Sequence, residues 1–492
     1  MSVRRVGATL LLTILSTAAA ANMLDRPWFE YRSRHFVVLS DKPEPDVAKA
    51  VENLELFRAV VLRVTNAREG QETIPVDLYL FENAGDFQTS IRTPNVLGFM
   101  RPGLRTQYMA AASGVIGLGA QHVIFHEYVH YLLRNGGTTA LHPTWYDEGL
   151  AEMLGATRFR ETKVVLGGDI PDRIRGLNAG ITVSLKEVVG TNDIGDWHPY
   201  RRSVFYSKAF ALVNYLHLSR LATKTDRLPQ MREYLRLYDE GMESVAAFER
   251  AFDMKVNAMD RELAKFLTHS MRPVLELPME AFTHDGSYAR RELPRAEAAY
   301  RLGYLIVFAS PVQARELFET DGLAQRDARH RAAVGVSYQA ESNYERARTE
   351  MNAALALSPD DPLALQEIAD LFLLWCRSDT PSKECGSLRE EARRHYKHLL
   401  EVEPDRLEGH AAFGALLNDI GDQYGAVMHL APVYEAAPWY VPGLAELGIA
   451  RQQSGDNAGA VSLLKRALAW IEDDSTLAAR VKQALASAER AR

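Results

Sequence analysis

The stretch Phe125-His126-Glu127-Tyr128-Val129-His130-Tyr131-Leu132-Leu133 carries two imidazoles and a carboxylate inside an otherwise apolar, helical pattern. On an α-helix His126 and His130 stand one turn apart on one face, where two neutral ring nitrogens can hold a single Zn2+. Glu127 is rotated by about 100° round the axis, beside such an ion without ligating it. HExxH therefore separates two ligands from one general base. The next element supplies what this helix lacks. Pro143-Thr144-Trp145-Tyr146-Asp147-Glu148-Gly149-Leu150-Ala151-Glu152-Met153-Leu154 opens with Thr144 and Asp147 at capping-box spacing, which predicts a new helix with Glu148 in its first turn. The 17 residues between His130 and Glu148 are enough for a helix end, a loop and a return. Two His, one Glu and an open fourth position describe a catalytic rather than a structural zinc site. Glu152, one turn after Glu148, is placed to reach the free ring nitrogen of a ligand histidine and fix its tautomer. His122, one turn before His126, is expected to stand outside the ligand set.

HEYVH followed by WYDEGLAE resembles the gluzincin metallopeptidases, in particular the peptidase MA-like branch related to aminopeptidase N and leukotriene A4 hydrolase. The resemblance covers roughly residues 28 to 270. It implies a zincin-like α+β catalytic domain, with His126, His130 and Glu148 as zinc ligands and Glu127 as the base. Phe205-Tyr206-Ser207-Lys208-Ala209-Phe210-Ala211-Leu212 is similar to the clan's stretch whose tyrosine donates to the oxyanion, which makes Tyr206 the second catalytic candidate. By the same fold analogy, residues 107 to 112 would be the edge strand along which a peptide substrate lies. The GxMEN anchor of true aminopeptidases is absent, which favours an endopeptidase.

The surrounding sequence supplies elements to position these groups. HFVVL (35 to 39) and VDLYLF (76 to 81) read as strands, residues 45 to 64 and 119 to 134 as helices, and Asn135-Gly136-Gly137 as the stop of the second. Residues 244 to 267 read as a helical tail, and 271 to 293, with Pro273, Pro278 and Gly286, as a linker.

The segment from 294 to 492 has a different grammar. Gly335, Gly414 and Gly448 are followed twelve positions later by Ala347, Ala426 and Ala460, and twelve further on Pro359 and Pro438 close two of the units. The last two units are offset by 34, a period that resembles tetratricopeptide repeats and implies an all-α superhelix whose concave face binds a protein segment. Gly303 and Ala314 suggest one more, degenerate unit, and residues 475 to 490 a capping helix. The only cysteines, Cys376 and Cys385, fall in an eleven-residue excess between units and are spaced to close a small disulfide loop.

Arg4 and Arg5 precede an apolar run that ends at Ala18-Ala19-Ala20-Ala21, a secretory signal pattern with cleavage near Ala20 or Ala21. No later stretch is apolar and long enough to span a membrane. A net charge of -7 with no Lys/Arg-rich run excludes a nucleic-acid footprint. The sequence therefore predicts an exported, periplasmic zinc metallopeptidase with repeats for substrate or partner. The alternative is an inactive zincin-like scaffold that mediates protein interactions.

Overall fold

A computed structural model describes residues 23–491 apart from 66–73, 92–97, 102, 113–117, 136–141, 178–182, 196, 268–272, 283, 379–380, 470 and 472–474. The signal segment and the glycines expected to stop the HExxH helix lie outside the described residues. The chain begins with β1 (Phe29–Arg32), β2 (Val37–Ser40), α1 (Glu44–Thr65), β3 (Val76–Phe81), α2 (Ala84–Ile91), β4 (Gly98–Arg101), β5 (Gln107–Ala112), α3 (Leu118–Asn135) and α4 (Thr144–Gly155).

With the late strand β9 (Ala289–Glu292), these strands form a mixed sheet in the order β4-β5-β3-β2-β1-β9. The pairs β2–β3 and β3–β5 are parallel, and the others antiparallel. Period-two alternation sorts the side chains between two cores. Val38, Val76, Leu78 and Leu80 point to the face covered by α1 and α3, where Val47, Val51, Leu54, Phe57 and Val61 make a helical stripe. Phe57 stacks on Phe125 of α3 with centroids 3.9 Å apart, which fixes the HExxH helix against α1. Val37, Leu39, Tyr79 and Phe81 point the other way, into a core shared with Leu302, Leu305 and Phe318 from the first repeat helices.

Beyond α4 come β6 (Arg158–Phe159), β7 (Lys163–Leu166), α5 (Pro171–Leu177), α6 (Leu185–Gly190), the 25-residue α7 (Pro199–Thr223), α8 (Leu228–Asp239), α9 (Ser244–Phe252), α10 (Val256–Leu267), β8 (Leu275–Pro278) and β9 (Ala289–Glu292). The rest is helical: α11 (Arg295–Ile306), α12 (Pro311–Glu319), α13 (Ala328–Ala340), α14 (Tyr344–Leu357), α15 (Pro362–Arg377), α16 (Cys385–Val402), α17 (Leu407–Ile420), α18 (Gln423–Ala436), α19 (Val441–Gln453), α20 (Asn457–Leu468) and α21 (Thr476–Arg490). The periodic glycines mark where paired helices cross. A Cβ at Gly335, Gly414 or Gly448 would lie 2.6, 2.5 or 2.7 Å from Met351, Leu430 or Leu464 respectively, so only glycine admits the partner helix there. Asp327, Asn343, Asp361, Asp422 and Asp456 each accept the N-terminal amide that a helix leaves free. Cys376 and Cys385 are bonded, tying the end of α15 to the start of α16. Among the described residues no helix is long and apolar enough to cross a membrane.

Three local expectations are corrected. The segment 271–293 carries two strands: β8 pairs with β7, and β9 pairs with β1. Proline and glycine content suggested a linker because strand pairing to residues far back in the chain leaves no local signal. Next, β5 is interior, because β4 pairs antiparallel outside it and is the outer strand. Lastly, α4 starts at Thr144 without a capping box, Pro143 being its N-cap residue. Thr144 Oγ1 donates to the Asn192 carbonyl at 2.6 Å, and Asp147 pairs with His142 Nδ1 at 3.1 Å, so tertiary partners take both side chains.

Candidate metal centre

Helix α3 buries Phe125, Tyr128, Val129 and Leu132 and turns His126 and His130 to its other face. It lies close on β4: a Cβ at Gly98 would meet Val123 Cγ1 at 2.8 Å. At its other end, Tyr131 donates its hydroxyl to the Ile74 carbonyl at 2.8 Å. Helix α4 crosses α7 at Gly149, where a Cβ would stand 2.5 Å from the Ala209 carbonyl oxygen. That close approach sets the position of the neighbouring Glu148.

Three donor atoms converge. His126 Nε2 and His130 Nε2 are 3.2 Å apart, and Glu148 Oε2 lies 3.3 Å from the first and 3.5 Å from the second. A tetrahedral ion bonded at about 2.0–2.1 Å separates its ligand atoms by about 3.3–3.4 Å, so this donor set fits one small dication. Glu148 Oε2 is also buried without a hydrogen-bond donor among the described residues. The side chains of His126 and Glu148 keep 13% and 20% exposure, so the triad is reachable from solvent.

Glu152, 1% exposed, sits behind the triad. Its Oε1 is 3.5 Å from His126 Nδ1, and its Oε2 is 3.1 Å from His122 Nε2. The Arg173 guanidinium, from α5, also hydrogen-bonds Oε1 and lies over the Tyr206 ring at 5.1 Å. Glu152 thus stands beside His126 Nδ1, and His122 reaches Glu152 rather than the triad.

The electrostatics follow from this crowding. Burial opposes ionisation of Glu148, but His130 and His126 outweigh it and hold the carboxyl well below the usual range. Burial likewise disfavours charge on Glu152, and His122 and Arg173 outweigh it, bringing it down to about 2. Burial lowers His126, yet the Glu148 carboxylate 3.3 Å away and the charge of Glu152 push it up to about 9. The same field that favours an imidazolium favours a metal cation. Tyr206 is pushed up by burial and then by the Glu148 carboxylate, which keeps its hydroxyl protonated and able to donate.

All six residues singled out by sequence fall in this neighbourhood: His126, Glu127 and His130 on α3, Glu148 and Glu152 on α4, and Tyr206 on α7. Glu127 is half-buried on α3. Arg173 escaped the sequence reading, because a single arginine in a short helix has no spacing that links it to Glu152.

No family model matches the chain, and no curated protein is significantly similar to it. Among solved structures, a thermophilic TPR protein of Thermus thermophilus is similar over 39% of this chain and 99% of its own, with 18% identity and a TM-score of 0.31. The repeat character of the C-terminal helices rests on their own pairing.

Proposed function

We propose that the chain is an exported zinc-dependent metallopeptidase, with a zincin-like catalytic domain ahead of tetratricopeptide repeats that bind substrate or a partner protein. One observation carries the reading: the spacing of His126 Nε2, His130 Nε2 and Glu148 Oε2, which matches the edges of a zinc coordination tetrahedron. A bound Zn2+ would supply Lewis acidity there and bring the pKa of a water down to about 7.

The chain's own residues have separable tasks. His126, His130 and Glu148 would hold the ion, and Glu152 fixes the His126 ring by lying against Nδ1. Glu127 takes a proton from the attacking water and returns it to the leaving amine. Tyr206 keeps its proton and donates it in a hydrogen bond to the scissile carbonyl oxygen as negative charge develops. β4 offers its outer edge, next to α3, to an extended peptide.

The test is metal content by mass spectrometry on wild type, His126→Ala and Glu148→Ala, with hydrolysis of an unfolded polypeptide by wild type and Glu127→Gln. About one zinc per chain, lost in both ligand variants, and turnover lost in Glu127→Gln with metal retained are the expected results. Zinc without Glu127-dependent hydrolysis would replace the enzyme with an inactive scaffold. Cell fractionation and the mature N-terminus test export.

A further inference from the structure

Three helices that meet around the triad, α4, α5 and α7, are joined by one side chain to which the proposed reaction gives no task. Arg173 stands on α5, a helix of 7 residues. A Cβ at Gly176 would lie 3.1 Å from Ser207 Cβ and closer still to its Oγ, so nothing larger than glycine lets α5 settle directly on α7. Ser207 donates to the Ser203 carbonyl at 2.8 Å, which holds its hydroxyl against its own helix. Gly176 is one turn beyond Arg173, and Ser207 follows Tyr206 in the chain, so this crossing carries Arg173 to the Tyr206 ring.

Arg173 therefore has a partner on each side. On one, its Nη2 donates to Glu152 Oε1, the oxygen that also lies 3.5 Å from His126 Nδ1, while the second Glu152 oxygen is 3.1 Å from His122 Nε2. On the other, its guanidinium carbon stands 5.1 Å from the centroid of the Tyr206 ring, within the range of a cation–π attraction. The Arg173 side chain is 22% exposed and that of Glu152 1%, so the pair is largely shielded from water and its geometry is held more firmly than at a surface. Beyond the effect of burial, the Tyr206 hydroxyl is acted on by the carboxylates of Glu148, Glu152 and Glu127 and, in the opposite sense, by Arg173. Negative charge developing on a substrate oxygen at that hydroxyl would face the same three carboxylates. The guanidinium is a fixed cation set against them, in place before any substrate arrives.

We propose that Arg173 is a positioning residue for Tyr206: anchored at one end by Glu152, its guanidinium holds the phenol ring in the orientation from which the hydroxyl donates to the developing oxyanion. The inference rests on the reading of Tyr206 as the oxyanion donor of a metallopeptidase, and it adds the group that keeps that donor in place. It also gives Glu152 a second task, because the carboxylate lying against the His126 ring is the anchor of the clamp. One buried carboxylate thereby sets both the ligand imidazole and, through Arg173, the oxyanion donor. Lysine would be a poor substitute at 173, since a compact ammonium lacks the planar fork that can bond a carboxylate while lying over a ring.

The first readout needs neither metal nor turnover. Fluorine NMR on the full-length protein labelled with fluorotyrosine, in excess chelator, identifies the Tyr206 resonance by its loss in Tyr206→Phe. Arg173→Met should shift or split that resonance, and Arg173→Lys should move it less. The second readout is hydrolysis of an unfolded polypeptide by the zinc-loaded protein. Arg173→Met should keep about one zinc per chain and lose at least tenfold in kcat with KM little changed. Arg173→Lys should recover part of that loss, and Arg173→Met/Tyr206→Phe should be no slower than Tyr206→Phe, because the arginine acts through the tyrosine. A Tyr206 resonance unmoved by Arg173→Met, an undiminished kcat, or losses that add in the double variant would each overturn the proposal. Arg173→Lys, the milder change, serves if Arg173→Met does not fold, and must still move the resonance. A wild type without zinc-dependent hydrolysis would sink the peptidase reading, whereas the fluorine comparison would still decide whether Arg173 holds Tyr206.

Discussion

Replacing Gly149 with alanine should weaken metal binding without touching a ligand. The new Cβ would stand 2.5 Å from both the Ala209 carbonyl oxygen and Val213 Cγ2, against ordinary contact that begins near 3.4 Å. The backbone oxygen cannot rotate away, so α4 must retreat from α7 by about 0.9 Å, at an overpacking cost of about 1–3 kcal/mol. Glu148 is the preceding residue and moves with the helix. Its Oε2 now lies 3.3 and 3.5 Å from the two imidazole nitrogens. A retreat of that size exceeds the roughly 0.2 Å tolerance of a metal–ligand distance. The expected result is zinc affinity at least tenfold lower, about 1.4 kcal/mol, in a chelator-competition titration, together with a lower Tm for the metal-free protein. Gly386→Ala, where a Cβ meets nothing within 4 Å, is the control and should change neither. Wild-type affinity in Gly149→Ala would refute the argument that the α4–α7 crossing positions Glu148.

Tyr206→Phe should retain zinc and lower kcat by about 100- to 1000-fold with KM little changed, the loss expected for one oxyanion donor, about 2.7–4 kcal/mol; equal losses in kcat and metal content would make Tyr206 structural. Glu367→Gln should alter the pH dependence of stability. Below pH 4.5 both folded and unfolded chains hold the Glu367 proton, and between there and about 7 only the folded chain does, so the wild type loses stability as pH rises through that window. The variant should match wild type at pH 4 and melt higher at pH 8, and a Tm difference independent of pH would contradict the raised carboxyl. Cys376→Ser should lose about 2–3 kcal/mol of stability, the loop-closure value for so short a ring. Wild type in reductant should then melt with the variant, and an unchanged Tm in both would place the stabilisation elsewhere.

What could be read ahead of the structure was local. HExxH brought its two histidines together because helical spacing alone puts His126 and His130 on one face, and the Gly/Ala recurrence marked repeat crossings because only glycine lets Met351, Leu430 or Leu464 approach. Strand β3 was legible from VDLYLF, a short apolar run rich in β-branched and aromatic residues with Asp77 as its one polar position. What depended on distant partners was not. Thr144 and Asp147 have the spacing of a cap, but Asn192 and His142 offered them better-placed hydrogen bonds. The β4 residues GFMR give no sign that they would cover β5, and nothing near Arg173 points to Glu152 or Tyr206.

The pairing of β1 with β9 joins Phe29 to Glu292, positions 263 apart in the chain. During synthesis at roughly 5–20 residues per second, the outer side of β1 waits about 13–50 s for its neighbour. Such a strand is a template for another chain's edge. Glu30, on that strand, ends almost buried, held by Arg291 and Arg301 at 3.1 Å. Both arginines emerge from the ribosome after the gap, so until then Glu30 has only the half-exposed Arg32 as a partner, and the charged pair on the open strand discourages wrong pairing. Chains cut short before residue 289 would keep that edge open permanently and should associate with one another, whatever becomes of their metal site.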